Sequence, residues 1–210
     1  MTDRLEDGGG SAPRDDADRR LRADAQRSLD ALLRAAKEVF ATSGVDAPVR
    51  EIADKAGVGL GTLYRRFPQR SDLVAAVFRR EIDGCADAAP ILSAELRPFE
   101  ALARWMQRYA AFLAAKRGLA KALHSGDPAF DNLPAYFDQR LRPAVRTLLK
   151  AAAAAGEIRA DVDADELLGA VASLCMSAHN AEPGRAERMV ALLVDGMRYG
   201  AGPSVNAPRR

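Results

Sequence analysis

Tyr64, Arg65, Arg66 and Arg70 place a phenol and three guanidinium groups close together, beside the hydroxyl of Thr62 and the bare backbone of Gly59 and Gly61. Donors of these kinds suit phosphate oxygens and base edges. They come after Ile52-Ala53, Ala56-Gly57-Val58 and Leu63, the spacing of two short helices meeting at a tight turn. Ala53 has to be small where the second helix crosses the first, and Gly57 falls where left-handed backbone is needed. Ile52, Val58 and Leu63 fill the angle between the helices, the geometry that sends the second helix into a major groove. Arg50 and Leu60 join the set as candidate readers of a guanine edge and a thymine methyl. The candidate DNA contacts are therefore Arg50, Gly59, Leu60, Gly61, Thr62, Tyr64, Arg65, Arg66 and Arg70.

The same block resembles the DNA-binding domain of the TetR family of one-component bacterial repressors. The resemblance rests on Gly61-Thr62-Leu63-Tyr64, Phe67 and Arg70, with Leu29, Leu33, Ala36 and Phe40 on one face of an upstream helix. It covers roughly residues 27 to 80. It implies a homodimer on a palindromic double-stranded operator, with Tyr64 and Arg70 on phosphates. It further implies a C-terminal helical domain that binds a small-molecule effector and dimerises through its last two helices. No cofactor and no metal are expected.

Catalytic patterns are missing. His124 and His179 belong to no H-x-x-x-H or H-E-x-x-H pattern, and no serine sits in a G-x-S-x-G elbow. Gly57-Val58-Gly59 follows no strand, so it is no dinucleotide loop. The run Asp161 to Glu166 lacks the glycine of a calcium loop and suits a helix N-terminus instead. An enzyme is not expected. At 210 residues and 48% hydrophobic content, the chain can build a core of one large or two modest domains. No apolar run approaches the roughly 20 residues of a membrane span. The hydrophilic N-terminus carries no secretory h-region, and Cys85 and Cys175 lie far apart, so a cytoplasmic protein with reduced thiols is expected.

Charge is uneven. Residues 27 to 80 hold ten basic and six acidic side chains, a net of +4 within a chain whose total is +2. Positive charge thus gathers where phosphates would bind. Residues 1–25 mix Gly, Asp and Arg without helical period until Leu21 and are expected to be a disordered tail. Arg19, Arg20, Arg22 and Arg27 make it either an arm that reaches DNA or a solvated segment. Residues 201–210 read as a second flexible tail.

The elements that must position these groups are all helical, about nine in number, with no period-two alternation. Helices are expected over 26–43 (closed by Gly44), from Pro48 to the turn at Gly57, over 59–66, and over 70–88, ending before Pro90. The remainder span Phe99 to Leu113, 119–124, 133–155 (closed by Gly156), 163–180 and 183–199. An all-α chain follows, with a three-helix helix-turn-helix domain and connecting fourth helix over 26–88 and a helical domain over 97–200.

Aromatic residues concentrate in that second domain. Trp105, Tyr109, Phe112, Phe137 and Met176 are the candidate ligand pocket, and no inward Lys or Arg is evident, so an apolar or weakly polar effector is expected. The last helix carries an apolar stripe too wide for packing on one side only. Leu168, Val171, Cys175, Val190, Leu193, Val194 and Met197 are the candidate dimer interface. In a second reading the C-terminal domain serves only dimerisation or a protein partner and holds no small molecule.

Overall fold

The computed structural model describes residues 12–117, 125–177 and 184–199. These residues form eight α-helices and one 3-10 turn without a strand, so the all-α expectation holds. The tails outside that range, the expected helix over 119–124, His124 and His179 lie outside the described residues.

α1 (Ala12–Ser43) buries Leu33, Ala36 and Phe40 of the stripe read in the sequence, with Leu29 half-buried, and adds Leu32 and Val39. It starts well before the expected residue 26. The extra turns contain Ala, Arg, Leu and Asp, good or tolerable helix formers, and Pro13 sits in the first turn where it costs no hydrogen bond. Gly44 ends α1 with a φ of 80°. α2 (Val49–Ala56) buries Ile52 and Ala53 and is closed by Gly57, whose φ of 67° lies in the left-handed region the sequence required. There Val58 N–H donates to the Ala53 carbonyl at 3.0 Å. α3 (Leu60–Arg66) buries Leu63.

α4 (Arg70–Glu95) begins with a capping box between Gln69 and Asp72 and runs on through Pro90. The expected stop before Pro90 is therefore wrong. Proline forfeits one backbone donor, but buried Ala88 and Ala89 and half-buried Leu92 hold the helix in the core on either side of it. α4 packs on α1 at one end, with Lys37 and Glu81 paired at 2.7 Å and Arg80 bonded to Asp30. At its other end it packs on α5 (Pro98–Arg117) and α6 (Leu133–Ala154).

Glu157 fastens the start of α5: its carboxylate accepts from Phe99 N–H at 2.7 Å and from Arg97 at 2.8 Å. The Phe99 amide, helped by Arg97, holds that carboxyl below its usual range. α7 (Ala164–Ser177) opens on Asp163, which accepts from the amides of Glu166 and Asp165 at 3.0 and 2.8 Å. The acidic run is thus a helix cap, as its composition suggested. α8 (Arg185–Gly196) lies against α5 and α7. Among the described residues no helix is long and apolar enough to cross a membrane.

Cys85 and Cys175 are both buried and neither is in a disulfide, and burial pushes the Cys85 thiol up to about 12. An unfolded thiol ionises near 9.0, so the unfolded state loses its proton first as the pH rises. Stability from this group is whole below about pH 9 and is lost as pH climbs through the folded value. The native protein at pH 8 should therefore leave both thiols unreactive toward Ellman's reagent, with both reacting in denaturant; fast native labelling of Cys85 would contradict the fold.

Candidate functional site

The helix-turn-helix is built as its residues dictate. The backbone of Gly59 leads into α3, with Thr62 N–H donating to its carbonyl at 2.9 Å. A Cβ added at Gly59 or Gly61 would meet nothing within 4 Å, so neither glycine is demanded by packing inside the protein. Glycine in a helix costs roughly 0.5–1 kcal/mol relative to alanine. Arg50 and Tyr64 stand exposed on this surface with no intramolecular partner among the described residues, while Leu60 and Thr62 are half-buried.

Three arginines are more occupied than the sequence suggested. Arg65 donates to the Thr62 hydroxyl at 3.1 Å. Arg66 donates to the Ala25 carbonyl at 3.1 Å, which ties the end of α3 to the N-terminal turns of α1. Arg70 donates to the Val45 carbonyl in the α1–α2 connection. The Asp72 carboxylate already accepts from Gln69 N–H at 3.0 Å at the start of α4, filling the anion position there. The local structure therefore favours Arg70 as a strut under the head over Arg70 as the main grip on a phosphate.

In the second domain a cavity of about 500 Å³ opens between α4, α5, α6 and α7. Phe78 from α4, Tyr109 and Leu113 from α5, and Phe130, Leu133 and Phe137 form its apolar walls, with Leu168 and Ala172 from α7. Pro134, Asp138, Asp165 and Gly169 are its exposed members and mark the mouth. Of the expected pocket residues, Tyr109 and Phe137 line it. Trp105 and Phe112 sit behind it: Trp105 stacks on Tyr109 at 5.7 Å and donates its indole N–H to the Cys85 carbonyl at 2.8 Å. Phe112 packs between Phe78 and Phe137 at 5.5 and 6.2 Å. Met176 is a correction: it is 70% exposed, on the face of α7 turned away from the core. Burial pushes the Tyr109 phenol well above its ordinary range, and its hydroxyl reaches the Leu168 carbonyl at 3.4 Å.

Arg142 also reaches the cavity, against the expectation that no basic side chain points inward. Nothing in its helical spacing separates it from its solvent-facing neighbours. Phe78 was missed for a related reason, since it reads as ordinary core of the connecting helix.

The candidate dimer residues need a second correction. Leu168, Val171, Cys175, Val190, Val194 and Met197 are buried within the protomer, and Leu193 packs partly against its core. They are covered because α7 and α8 both dock on α5. The outward half of the same stripe is different: Leu192 is 74% exposed, and with Leu174, Met189 and Ala170 it lines a groove of about 740 Å³.

A helix-turn-helix head joined by one continuous helix to a hollow helical domain is the architecture of a one-component regulator. Residues 32–77 match the profile of bacterial regulatory proteins of the tetR family, and residues 97–199 match that of the SbtR-like transcriptional regulator C-terminal domain. A TetR transcriptional regulator from Streptomyces coelicolor is 40% identical, with a TM-score of 0.70 over 80% of this chain and 97% of that one. A TetR regulatory protein from Mycobacterium vanbaalenii is 37% identical, with a TM-score of 0.65 over 85% and 99%. A helix-turn-helix regulator from Staphylococcus aureus is 36% identical over 64 residues, 30% of this chain; the match spans only 35% of that relative. The chain belongs to the TetR family.

Arg50→Ala should lower affinity for the preferred site by about 1–3 kcal/mol and relax one base position in a binding-site selection. Tyr64→Phe should weaken all sequences alike. An Arg50→Ala protein with unchanged sequence preference would remove Arg50 from base readout.

Proposed function

We propose that this protein is a homodimeric, sequence-specific DNA-binding repressor, released from its operator by a small molecule held in the α4–α7 cavity. The observation that carries the reading is the cavity itself: an aromatic-walled hollow one wall of which, Phe78, belongs to the helix that starts at the DNA-reading head. A concave, mostly apolar pocket with a few polar groups at its mouth is the form that small-molecule sites take. Arg50 and Tyr64 are the free groups for base and phosphate, and the unpacked Gly59 and Gly61 leave the α3 backbone bare for close approach to DNA.

The second copy is assigned to the groove beside Leu192, because the exposed apolar half of α8 is continuous there with Leu174 and Met189. Two heads on one dimer must meet major grooves about 34 to 36 Å apart or a multiple of it. The effector acts only through its preference for the form whose heads are out of register.

Selection from random duplex DNA should return a palindrome whose half-sites are spaced by whole helical turns. Leu192→Glu should sediment as a monomer and retain only weak half-site binding. A Leu192→Glu protein that stays dimeric would place the interface elsewhere, and a selection without any enriched sequence would overturn the DNA-reading role.

A further inference from the structure

We propose that the cavity takes an organic cation, an amine or related group on an apolar and preferably aromatic body. This rests on the reading of the cavity as the effector site. The charged members of its lining are Asp138, Asp165 and Arg142, two carboxylates to one guanidinium. Arg142 is already flanked by both: its Nε lies 2.7 Å from Asp165 and its Nη2 3.3 Å from Asp138.

The pairing with Asp165 is close but poorly aligned, since the shielded Nε makes no hydrogen bond. Among the described residues the side-chain hydrogen bond that Asp165 accepts is the long one from Arg146 Nη2 at 3.4 Å, so it has little directional bonding to lose if it turns toward a better-placed donor. Arg146 reaches the other Asp165 oxygen from outside the lining at 3.4 Å and is half exposed, so solvent screens it. An anionic head approaching Arg142 meets both carboxylates, whereas a cationic head meets them as partners. Below the mouth, Phe78, Tyr109, Phe130 and Phe137 line the space, and aromatic rings are the side chains that best accommodate a cation on an apolar body.

Three probes of one shape separate the possibilities: 4-phenylbutylamine, 4-phenylbutanol and 4-phenylbutyrate, titrated into the full-length protein at neutral pH. Trp105 is the chain's one tryptophan and stacks on a wall residue, so its fluorescence reports filling, with calorimetry as the second readout. The amine should bind about fivefold tighter than the alcohol and the carboxylate about fivefold weaker, the spread narrowing in high salt. Asp138→Asn with Asp165→Asn should level the three, and Asp138→Asn alone should narrow the gap if the double variant melts early. Arg142→Gln should leave the amine at least as tight.

Tightest binding by the carboxylate, loss of binding in Arg142→Gln, or equal affinity for all three overturns the charge assignment and leaves the cavity as an effector site. If no probe changes Trp105 fluorescence or gives heat, the cavity is not a ligand site, and both readings fall.

Discussion

α4 is a single uninterrupted helix shared by both halves of the molecule. Its 26 residues extend about 39 Å at 1.5 Å per residue, from the capping box behind α3 to a point beyond Pro90. No linker separates head from second domain, so the head takes whatever orientation α4 is given. That orientation is fixed by a clasp from α6. Tyr136 and Arg140 donate to the same oxygen of Asp83 at 2.6 and 2.7 Å, and Arg140 also bonds Asp87 at 2.6 Å. The bond to Asp83 raises the Tyr136 phenol pKa and keeps its proton in place. Each pair is over a third exposed, so exposed-pair energies of about 0.2–1 kcal/mol apply. Buried Phe78, Ile82, Cys85 and Ala89 supply the stability, and the clasp supplies the register.

α6 has two working faces. Leu133, Phe137 and Arg142 look into the cavity, while Tyr136 and Arg140 hold α4. Leu133 and Phe137 are four apart, as are Tyr136 and Arg140, so these two pairs are adjacent stripes on the part of the helix before Pro143. A molecule wedged against Phe137 cannot shift that stripe without shifting the other. The coupling is limited by the difference in its affinity for the two orientations of α4, typically 1–3 kcal/mol.

The head was legible in the sequence because its geometry depends on a few residues with strong local meaning. Ala53, Gly57 and Leu63 each admit few substitutes in a helix-turn-helix, and each sits where its type requires. The first turns of α1 were not legible, since a charge-rich segment scores alike as helix or coil without a packing partner. Pro90 misled for the opposite reason, a local signal outweighed by burial on both sides of it. In the second domain the aromatic residues pointed to the cavity, but periodicity cannot tell a wall such as Tyr109 from the layer behind it, such as Trp105. The wide α8 stripe divides into a half buried against the protomer core, with Val190 and Val194, and a half left outward at Leu192. Which half faces inward depends on how α7 and α8 dock on α5, and that is a tertiary fact.

Whether filling the cavity moves the head through α6 and α4 can be tested without knowing the effector. Ala172 lines the cavity from α7 and is half-buried, so Ala172→Phe puts a ring into the space a ligand would occupy. Overpacking of this kind costs about 1–3 kcal/mol, which a folded domain can bear and a melting curve can verify. Operator affinity of the folded Ala172→Phe dimer is the measurement. A loss of about tenfold or more relative to wild type is predicted. A folded, dimeric Ala172→Phe protein that binds its operator as tightly as wild type would contradict the account.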